Sequence, residues 1–396
     1  MIVNIGLAMV VYSPYLAFLP MIYLLYYLIR KGKLSLKNPW NIGIALLFFW
    51  SFIVGIINEN EMSTLASLVI LGLLLVSVYF QDKYQSVTDV ERLFFSIFLF
   101  SIGSALMGIL EHFNIITYSP TWWKYLLGTR SIDDITESYR ISGTFNNPNL
   151  AGTWYAIMIL FGVYFFKKSE GIHKVWFAVG TALFVTVLMM TGSRGAVIGL
   201  FFGFVIYSYF SGHKKKMLFL MFTLLSGITL MLNFPEWFPR GEILFSSIRD
   251  RQAIWENALY MFMMKPVTGW GLLGIYYADS SIYHYLRVFH AHNTLLTIAT
   301  TLGVVGLSIF LWMEWSLLQE IRLLYQKKCR ITPLLGGIQA IVLGQGLFDF
   351  TIMSPQVALL FVVSSTLIGS LAYSYIPQTI PTYPLTLRYK KSWKKA

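Results

Sequence analysis

The stretch WNIGIALLFFWSFIVGIIN, residues 40–58, carries no charged side chain. A helix of about 20 apolar residues is long enough to cross the roughly 30 Å hydrocarbon core of a bilayer. The stretch therefore predicts a membrane-spanning helix.

Apolar runs of similar length recur along the whole chain. They predict further spans near residues 63–80, 93–111, 149–166, 175–191, 195–211, 217–233, 293–312, 332–349 and 355–375. Residues 2–29 form either one long span or two short ones broken around Ser13-Pro14. Because this stretch lacks a basic start and a small-residue cleavage site, we expect a retained helix and not a signal peptide. The total is eleven or twelve spans.

The composition agrees with this pattern. Hydrophobic residues make up 56% of the chain and charged residues 12%, and the mean hydropathy is +0.63. Soluble domains average roughly 25% charged residues. We therefore predict an all-α polytopic membrane protein, with residues 1–375 as a single integral membrane domain and residues 376–396 as a basic tail.

The basic residues predict the orientation. Of the 30 Lys and Arg residues, 21 lie in segments that alternate spans place on one side, at 30–38, 81–92, 167–174, 213–216, 313–331 and the tail. The positive-inside rule makes this side, with the C-terminus, cytoplasmic. The net charge of +12 is thus an orientation signal, and no basic stretch interleaved with aromatic residues indicates nucleic-acid binding.

Two long extracytoplasmic segments follow from this topology, at residues 112–148 and 234–292. Within the second, residues 245–266 have helical apolar spacing, with Pro266 at the end, which predicts an amphipathic helix near the outer membrane surface. Cys329 is the one cysteine, so neither a disulfide nor a thiolate metal site is expected.

The polar candidates gather at the outer ends of the spans. No charged residue lies in the middle of a predicted span, whereas ion-coupled transporters usually need one there. Arg194 lies in TGSRGA, a short break between two spans. Its guanidinium either reaches to the interface and caps the turn, or binds a phosphate in the bidentate manner to which arginine is suited.

The predicted amphipathic helix offers two more arginines. Arg251 and Trp255 are four residues apart, which fits a local cation–π pair. Alternatively, Arg251 is a second phosphate ligand that Trp255 holds in place. Arg249 competes for that role, and spacing does not choose between the two arginines.

His290 and His292, in RVFHAHNTLL (287–296), precede a predicted span. They would share a face only on an extended chain. Three readings stay open: a structural hydrogen bond, a metal ligand without a nearby third partner, or a general base for an acceptor hydroxyl. We predict no metal and no cofactor.

Other polar residues are candidates for substrate contact. In GTFNNPNLAG (143–152), Asn147 and Asn149 are either turn and cap residues or sugar ligands. Asp349, near the outer end of its predicted span, is expected to pair with an outer arginine. GWGLLG (269–274) fits a nucleotide-binding pattern, but no strand precedes it, so its glycines indicate tight turns.

These segments together resemble the O-antigen ligase and O-antigen polymerase superfamily of bacterial membrane glycosyltransferases. The segments are GTFNNPNLAG, TGSRGA, RQAIW followed by PVTGWG, and HNTLLTIATTLGVVG. In the last, His292-Asn293 is followed after nine residues by Gly303 and after two more by Gly306, a spacing that is similar to that of the ligases. The motifs cover roughly residues 140–312.

The resemblance implies a C-type glycosyltransferase fold in the bacterial cytoplasmic membrane. The implied reaction moves a glycan from an undecaprenyl-diphosphate carrier to an acceptor hydroxyl on the outer face, without a metal and with inversion. His292, Arg194 and Arg251 take the positions of the catalytic residues. The further substrate contacts that we expect are Arg249, Trp255, Asn147, Asn149, His290, Asn293 and Asp349. Partners are the lipid-linked donor, a glycan, lipid or protein acceptor, and membrane lipids.

Two alternatives stay open at this point. A polymerase would use the same donor with a lipid-linked glycan as acceptor. None of the outer arginines at 130, 140, 249, 251 and 287 has a glycine eleven residues later, as the polymerases often do, so a ligase is favoured. A lipid-glycan flippase would need polar groups along a path through the membrane, which the spans do not provide.

Overall fold

A computed structural model describes residues 6, 9–13, 18–31, 33–116, 140–238, 240–282, 287–375 and 385–388. Two strands pair with each other, β1 (Lys33–Leu36) and β2 (Leu385–Arg388). The helices are α1 (Phe18–Lys31), α2 (Pro39–Ile57), α3 (Glu61–Lys83), α4 (Val87–His112), α5 (Pro148–Lys168), α6 (Gly171–Met190), α7 (Arg194–Phe210), α8 (Lys214–Asn233), α9 (Leu244–Met264), α10 (Gly274–Tyr277), α11 (Thr294–Gln326), α12 (Thr332–Gln345) and α13 (Pro355–Tyr373).

Eight of the described helices are long and apolar enough to cross a membrane: α2, α3, α4, α5, α6, α8, α11 and α13. The prediction of an all-α polytopic membrane protein is thereby confirmed. Two more of the predicted spans are shorter helices, α7 with 17 residues and α12 with 14. The helical rise makes them about 25 and 21 Å long.

Two details of the predicted spans were wrong. Residues 346–349 belong to a turn and not to a span, because α12 ends at Gln345. Residues 313–326 continue α11 and are not a loop, so Glu314 and Glu320 lie on this 33-residue helix. The strand β2 lies within the predicted tail, most of which falls outside the described residues. Residues 14–17 also lie outside the described residues, and the choice between one and two N-terminal spans depends on them.

Side-chain caps explain where many helices begin. The first turn of a helix leaves backbone N–H groups without intrahelical partners, and a short polar side chain before it satisfies one of them. The side chains that accept such a hydrogen bond here are Asn38, Asn60, Ser86, Asn147, Ser193 and Asn293.

Glycines bring α7 and α12 unusually close together. Gly195, Gly199 and Gly203 follow one another at four-residue spacing on α7, so they lie on one face. A Cβ atom on Gly199 would lie 2.8 Å from the carbonyl oxygen of Ile341, and one on Gly203 would lie 2.4 Å from the Ile341 side chain. Small residues at this spacing let membrane helices approach to backbone contact. The pair holds Arg194 beside Gln345.

Residues 266–271, from the long segment before α11, pack against a break in that helix at Gly303. Gly303 has φ 66° and ψ −170°, a conformation open only to glycine. The N–H of Val304 donates to the carbonyl of Pro266 at 2.8 Å, while the N–H groups of Trp270 and Gly271 donate to carbonyls of the preceding turn of α11. Gly269 and Gly271 have positive φ, which confirms that GWGLLG is a turn segment.

The connections 58–60, 191–193 and 346–354 and the described parts of 234–293 lie at one end of the helix bundle, which we name the predicted outer end. At the opposite end the buried carboxylate of Glu91 binds three side chains. Tyr164 Oη donates to it at 2.5 Å, Lys168 Nζ lies at 2.5 Å, and Arg330 contacts both oxygens at 3.1 and 2.8 Å. This network joins α4, α5 and the turn before α12.

Replacing Gly303 by alanine should destabilise the protein. The conformation costs a non-glycine residue about 1–3 kcal/mol, and the added Cβ would lie 2.0 Å from the carbonyl oxygen of Val267. Gly303→Ala should therefore lower the thermal unfolding midpoint of the detergent-solubilised protein by several degrees. Gly227→Ala, where a Cβ meets no atom within 4 Å, is the control and should change it little. Equal midpoints in the two variants would contradict this account of the break.

Candidate functional site

Arg194 begins α7 directly after the turn that joins it to α6. Gly192 in this turn has φ 59°, and a Cβ there would lie 3.3 Å from Arg240 Cδ and 3.6 Å from Arg140 Nε. The glycine therefore leaves room for two arginine side chains. Arg194 is half-buried, and its Nη1 donates to the backbone carbonyl of Arg240 at 3.2 Å. The sequence TGSRGA thus builds a tight turn with arginines packed around it.

A small pocket at the predicted outer end collects three arginines. Its lining includes Arg194 from α7, Arg251 from α9 and Arg240 from the segment between α8 and α9, together with Asn149, Gln345 and Asp349. Arg249, in contrast, is exposed and does not line this pocket. Of the two arginines of α9, Arg251 therefore lines the pocket and Arg249 does not.

His292 contacts a buried carboxylate at the edge of this pocket. Its Nδ1 lies 3.1 Å from Oδ1 of Asp349, which is 5% exposed and lies in the turn after α12. Asn293 caps α11 and donates its side-chain N–H to the carbonyl of Leu347 at 3.2 Å, while Thr294 N donates to Gly346 O at 2.7 Å. These bonds join the start of α11 to the turn that carries Asp349.

A chain of hydrogen bonds holds the other carboxylate oxygen. Asn149 Nδ2 donates to Asp349 Oδ2 at 2.8 Å, and Arg140 Nη2 donates to Asn149 Oδ1 at 2.9 Å. Arg140 is buried, and its Nε donates to the backbone carbonyl of Thr191 at 2.8 Å. The described ion pairs of Asp349 join it to His292 and His290, and its charge also acts on the guanidinium of Arg251, so pairing with an arginine stays a prediction. Asn149 lies between Arg140 and the carboxylate.

His290 packs against His292. Their ring centroids are 4.4 Å apart, and His290 Nδ1 accepts a hydrogen bond from the backbone N–H of His292 at 3.2 Å. The same nitrogen lies 3.9 Å from Asp349 Oδ1. His292 itself has φ 48°, so the chain bends there and both rings face the same carboxylate.

Burial and these contacts shift two pKa values. Burial lowers the pKa of His290 to about 4, with Asp349 opposing the shift and His292 adding to it. For Asp349, burial alone would raise the pKa, but the hydrogen bond and charge of His292, the charge of His290 and the N–H of Phe350 together lower it to about 2. At neutral pH the site thus holds a carboxylate against His292 and a neutral His290.

The three side chains His290, His292 and Asp349 also have the proximity of a metal site. Each offers one ligand atom, and these atoms lie within 4.8 Å of one another. However, the Nδ1 lone pair of His290 accepts the His292 N–H, and Oδ1 of Asp349 hydrogen-bonds to His292. A metal ion bound through these two atoms would have to replace both bonds.

The remaining predicted residues have mostly structural contacts. Asn147 accepts the N–H of Asn149 as the cap of α5, and Asn293 uses both its amide groups in the cap and the adjoining turn. The indole N–H of Trp255 is buried and has no hydrogen-bond partner within the described part of the chain. Among the described cation–π contacts, none joins Arg251 to Trp255.

Sequence reasoning missed three residues of the site: Arg140, Arg240 and Gln345. The two arginines were recognised only as extracytoplasmic cations. Nothing in the sequence indicated a role for Gln345, because a glutamine near the end of a predicted span is typical of the membrane interface.

Two comparisons with known proteins bear on this site. Residues 179–311 match a family model described as O-Antigen ligase. A Rickettsia typhi protein named "Putative polysaccharide ligase" is 22% identical over 291 residues, which are 70% of this chain. The chain spans 61% of the length of this curated relative. The resemblance to the O-antigen ligase superfamily is thereby confirmed, and the matched region contains Arg194, Arg251 and His292.

The pKa of His290 predicts how stability depends on pH. Because an unfolded histidine has a pKa of about 6.5, the unfolded chain binds a proton more readily than the folded one as the pH falls from 6.5 towards 4. Stability should therefore be complete above pH 6.5 and fall through this window, by at most about 3 kcal/mol from this group. His290→Asn should flatten the decline, measured by unfolding of the solubilised protein between pH 7 and 4.5.

The control is His173→Asn, because His173 is exposed on α6. It should leave the decline as steep as in the unmodified protein. A slope that is the same in all three proteins would contradict the assignment of a buried, neutral His290.

Proposed function

We propose that this membrane protein is a glycosyltransferase of the ligase type. It would move a glycan from a polyprenyl-diphosphate carrier, for which the resemblance implies undecaprenyl diphosphate, to an acceptor hydroxyl. The proposal rests mainly on polar side chains that are far apart in the sequence and close together in the structure. Arg194, Arg251 and the His292–Asp349 pair come from four distant segments and meet at one pocket.

The charges at the pocket support a diphosphate ligand. Three guanidinium groups, of Arg194, Arg240 and Arg251, line it together with one carboxylate, that of Asp349. Removing charges from water is unfavourable unless opposite charge balances them. A diphosphate supplies several negative oxygens, and the planar guanidinium group matches a phosphate in the bidentate manner.

The pair of His292 and Asp349 supports the role of a general base. With Nδ1–H donating to Asp349, the Nε2 atom of His292 is left as the proton acceptor, and the carboxylate stabilises the imidazolium that forms. The low pKa of Asp349 supports this tautomer, because an ionised carboxylate can only accept the bond from Nδ1–H.

The proposed reaction is a direct displacement. The oxygen of the acceptor hydroxyl forms a bond to the anomeric carbon while His292 takes the hydroxyl proton. The bond from that carbon to the diphosphate oxygen breaks, and the leaving diphosphate keeps the electron pair. The arginines stabilise the charge that develops on it, so no metal is needed, and one displacement inverts the anomeric configuration.

An apolar groove beside Arg194 supports a lipid-linked donor. It has a volume of about 270 Å³ and runs between α6, α7 and α8, with apolar residues such as Phe201 and Met231 along it. One end meets Gly192, Ser193 and Arg194. A ligand with a hydrocarbon tail and an anionic head would fit, with the tail in the apolar groove and the head beside Arg194.

The proposed location is the bacterial cytoplasmic membrane, with the pocket at its outer face. The excess of Lys and Arg in the connections at the opposite end of the bundle supports this orientation, with the C-terminus in the cytoplasm. The boundary between water and hydrocarbon is also the depth at which the diphosphate of a lipid carrier lies.

Two arginines on α9 offer a matched test of the pocket. Arg251→Ala should lower kcat/KM for a polyprenyl-diphosphate-linked glycan by about 10²–10³, as loss of a preorganised donor does in other enzymes. Arg249→Ala, on the exposed face of the same helix, should change it by no more than about twofold. The measurement is product formation by the purified protein in lipid nanodiscs. Equal losses in both variants would show that general surface charge, and not the pocket, matters.

His292→Ala tests the general base separately. It should lower kcat by about 10²–10⁴ and leave binding of the donor nearly unchanged, because the arginines are intact. Turnover near that of the unmodified protein would contradict the role of His292.

A further inference from the structure

Gln345 ends α12 one helical turn before Asp349. Its backbone carbonyl accepts hydrogen bonds from the N–H groups of Phe348 and Asp349, at 2.8 and 3.0 Å. The residue is 1% exposed, and its side chain lines the pocket of the three arginines. The close approach of α7 holds the amide, because a Cβ on Gly195 would lie 3.1 Å from Gln345 Oε1.

The amide oxygen of this side chain has no hydrogen-bond partner within the part of the chain that the structure describes. A buried acceptor left in this state is unfavourable, because it has lost its hydrogen bonds to water. The guanidinium groups that line the same pocket do not satisfy it. An unsatisfied acceptor that is held rigidly at the wall of a pocket indicates a ligand that brings a donor.

Gln339 shows that a buried glutamine of α12 need not have an unsatisfied amide oxygen. It lies on α12 and is buried like Gln345, but both of its amide groups have partners. Its Nε2 donates to Ser364 Oγ at 2.8 Å, and its Oε1 accepts from Ser365 Oγ at 3.3 Å.

We infer that Gln345 forms a sugar subsite, in which its amide oxygen accepts a hydrogen bond from the first sugar of the donor. The inference rests on the proposed function. A diphosphate presents only acceptor oxygens, so it cannot pair with another acceptor. The donors nearest to the diphosphate on such a ligand are hydroxyl or acetamido N–H groups of the sugar that it carries.

The subsite would select among donors. A pocket with a buried polar group rejects a ligand that leaves this group unpaired far more strongly than an apolar pocket rejects a small change in size. A first sugar without a hydroxyl or N–H at the matching position would therefore be a poor substrate.

The test compares two ligands, polyprenyl diphosphate without a sugar and the same carrier with its glycan. The glycan preference is the ratio of their dissociation constants, measured with the full chain in nanodiscs and no acceptor present. Gln345→Met keeps the size of the side chain and removes the acceptor. It should lower the preference about tenfold, as loss of one hydrogen bond does, and leave binding of the sugarless carrier within about twofold.

Gln345→Glu and Gln339→Met complete the design. Gln345→Glu keeps an acceptor oxygen, so the glycan preference should stay near that of the unmodified protein even if the added charge weakens both ligands. Gln339→Met removes satisfied bonds between α12 and α13, so it should lower thermal stability without changing the preference.

Two results would overturn the subsite: an unchanged preference in Gln345→Met, or equal weakening of both ligands in that variant. Failure of the unmodified protein to bind the glycan-bearing carrier is a different result. It would reject the proposed function itself, and with it the subsite.

Discussion

The carboxylate of Asp349 is buried at the end of a membrane helix bundle, and every part of the site depends on how its charge is balanced. His292 holds one oxygen, and Asn149, itself held by Arg140, holds the other. Three further arginines approach from α7, from α9 and from the segment between α8 and α9. Asp349 is thus the carboxylate that lines the pocket beside three guanidinium groups, and the proposed diphosphate ligand would add negative charge there.

Glycines make this arrangement possible. Gly195, Gly199 and Gly203 let α7 and α12 touch along their backbones, which brings the first residue of α7 to the last residue of α12. Gly303 breaks α11 and lets residues 266–271 pack against it, so α9 is fixed relative to the start of α11. Backbone contacts of this kind vary little with side-chain motion, so they suit a site that must be preorganised.

Much of this could be predicted from the sequence, for physical reasons. Apolar runs such as residues 40–58 match the thickness of a bilayer, so they predict membrane spans. Asn147 and Asn293 come just before such runs and predict where a helix begins. The partner of Asp349 could not be predicted, because it depends on which turns meet at the end of the bundle. The role of Gln345 was hidden for the same reason. The end of α12 was misjudged because residues 346–349 are as apolar as many helices, while their hydrogen bonds form a turn.

The most direct measurement of the central claim is incubation of the purified chain with a defined polyprenyl-diphosphate-linked glycan and candidate acceptors, followed by mass and anomeric analysis of the product. Lipid-linked glycans, lipid sugars and proteins are tested as acceptors in parallel. The account predicts a new glycosidic bond of inverted configuration and one polyprenyl diphosphate released per bond, in the presence of a metal chelator. Movement of the intact donor across the membrane with no new bond would contradict it.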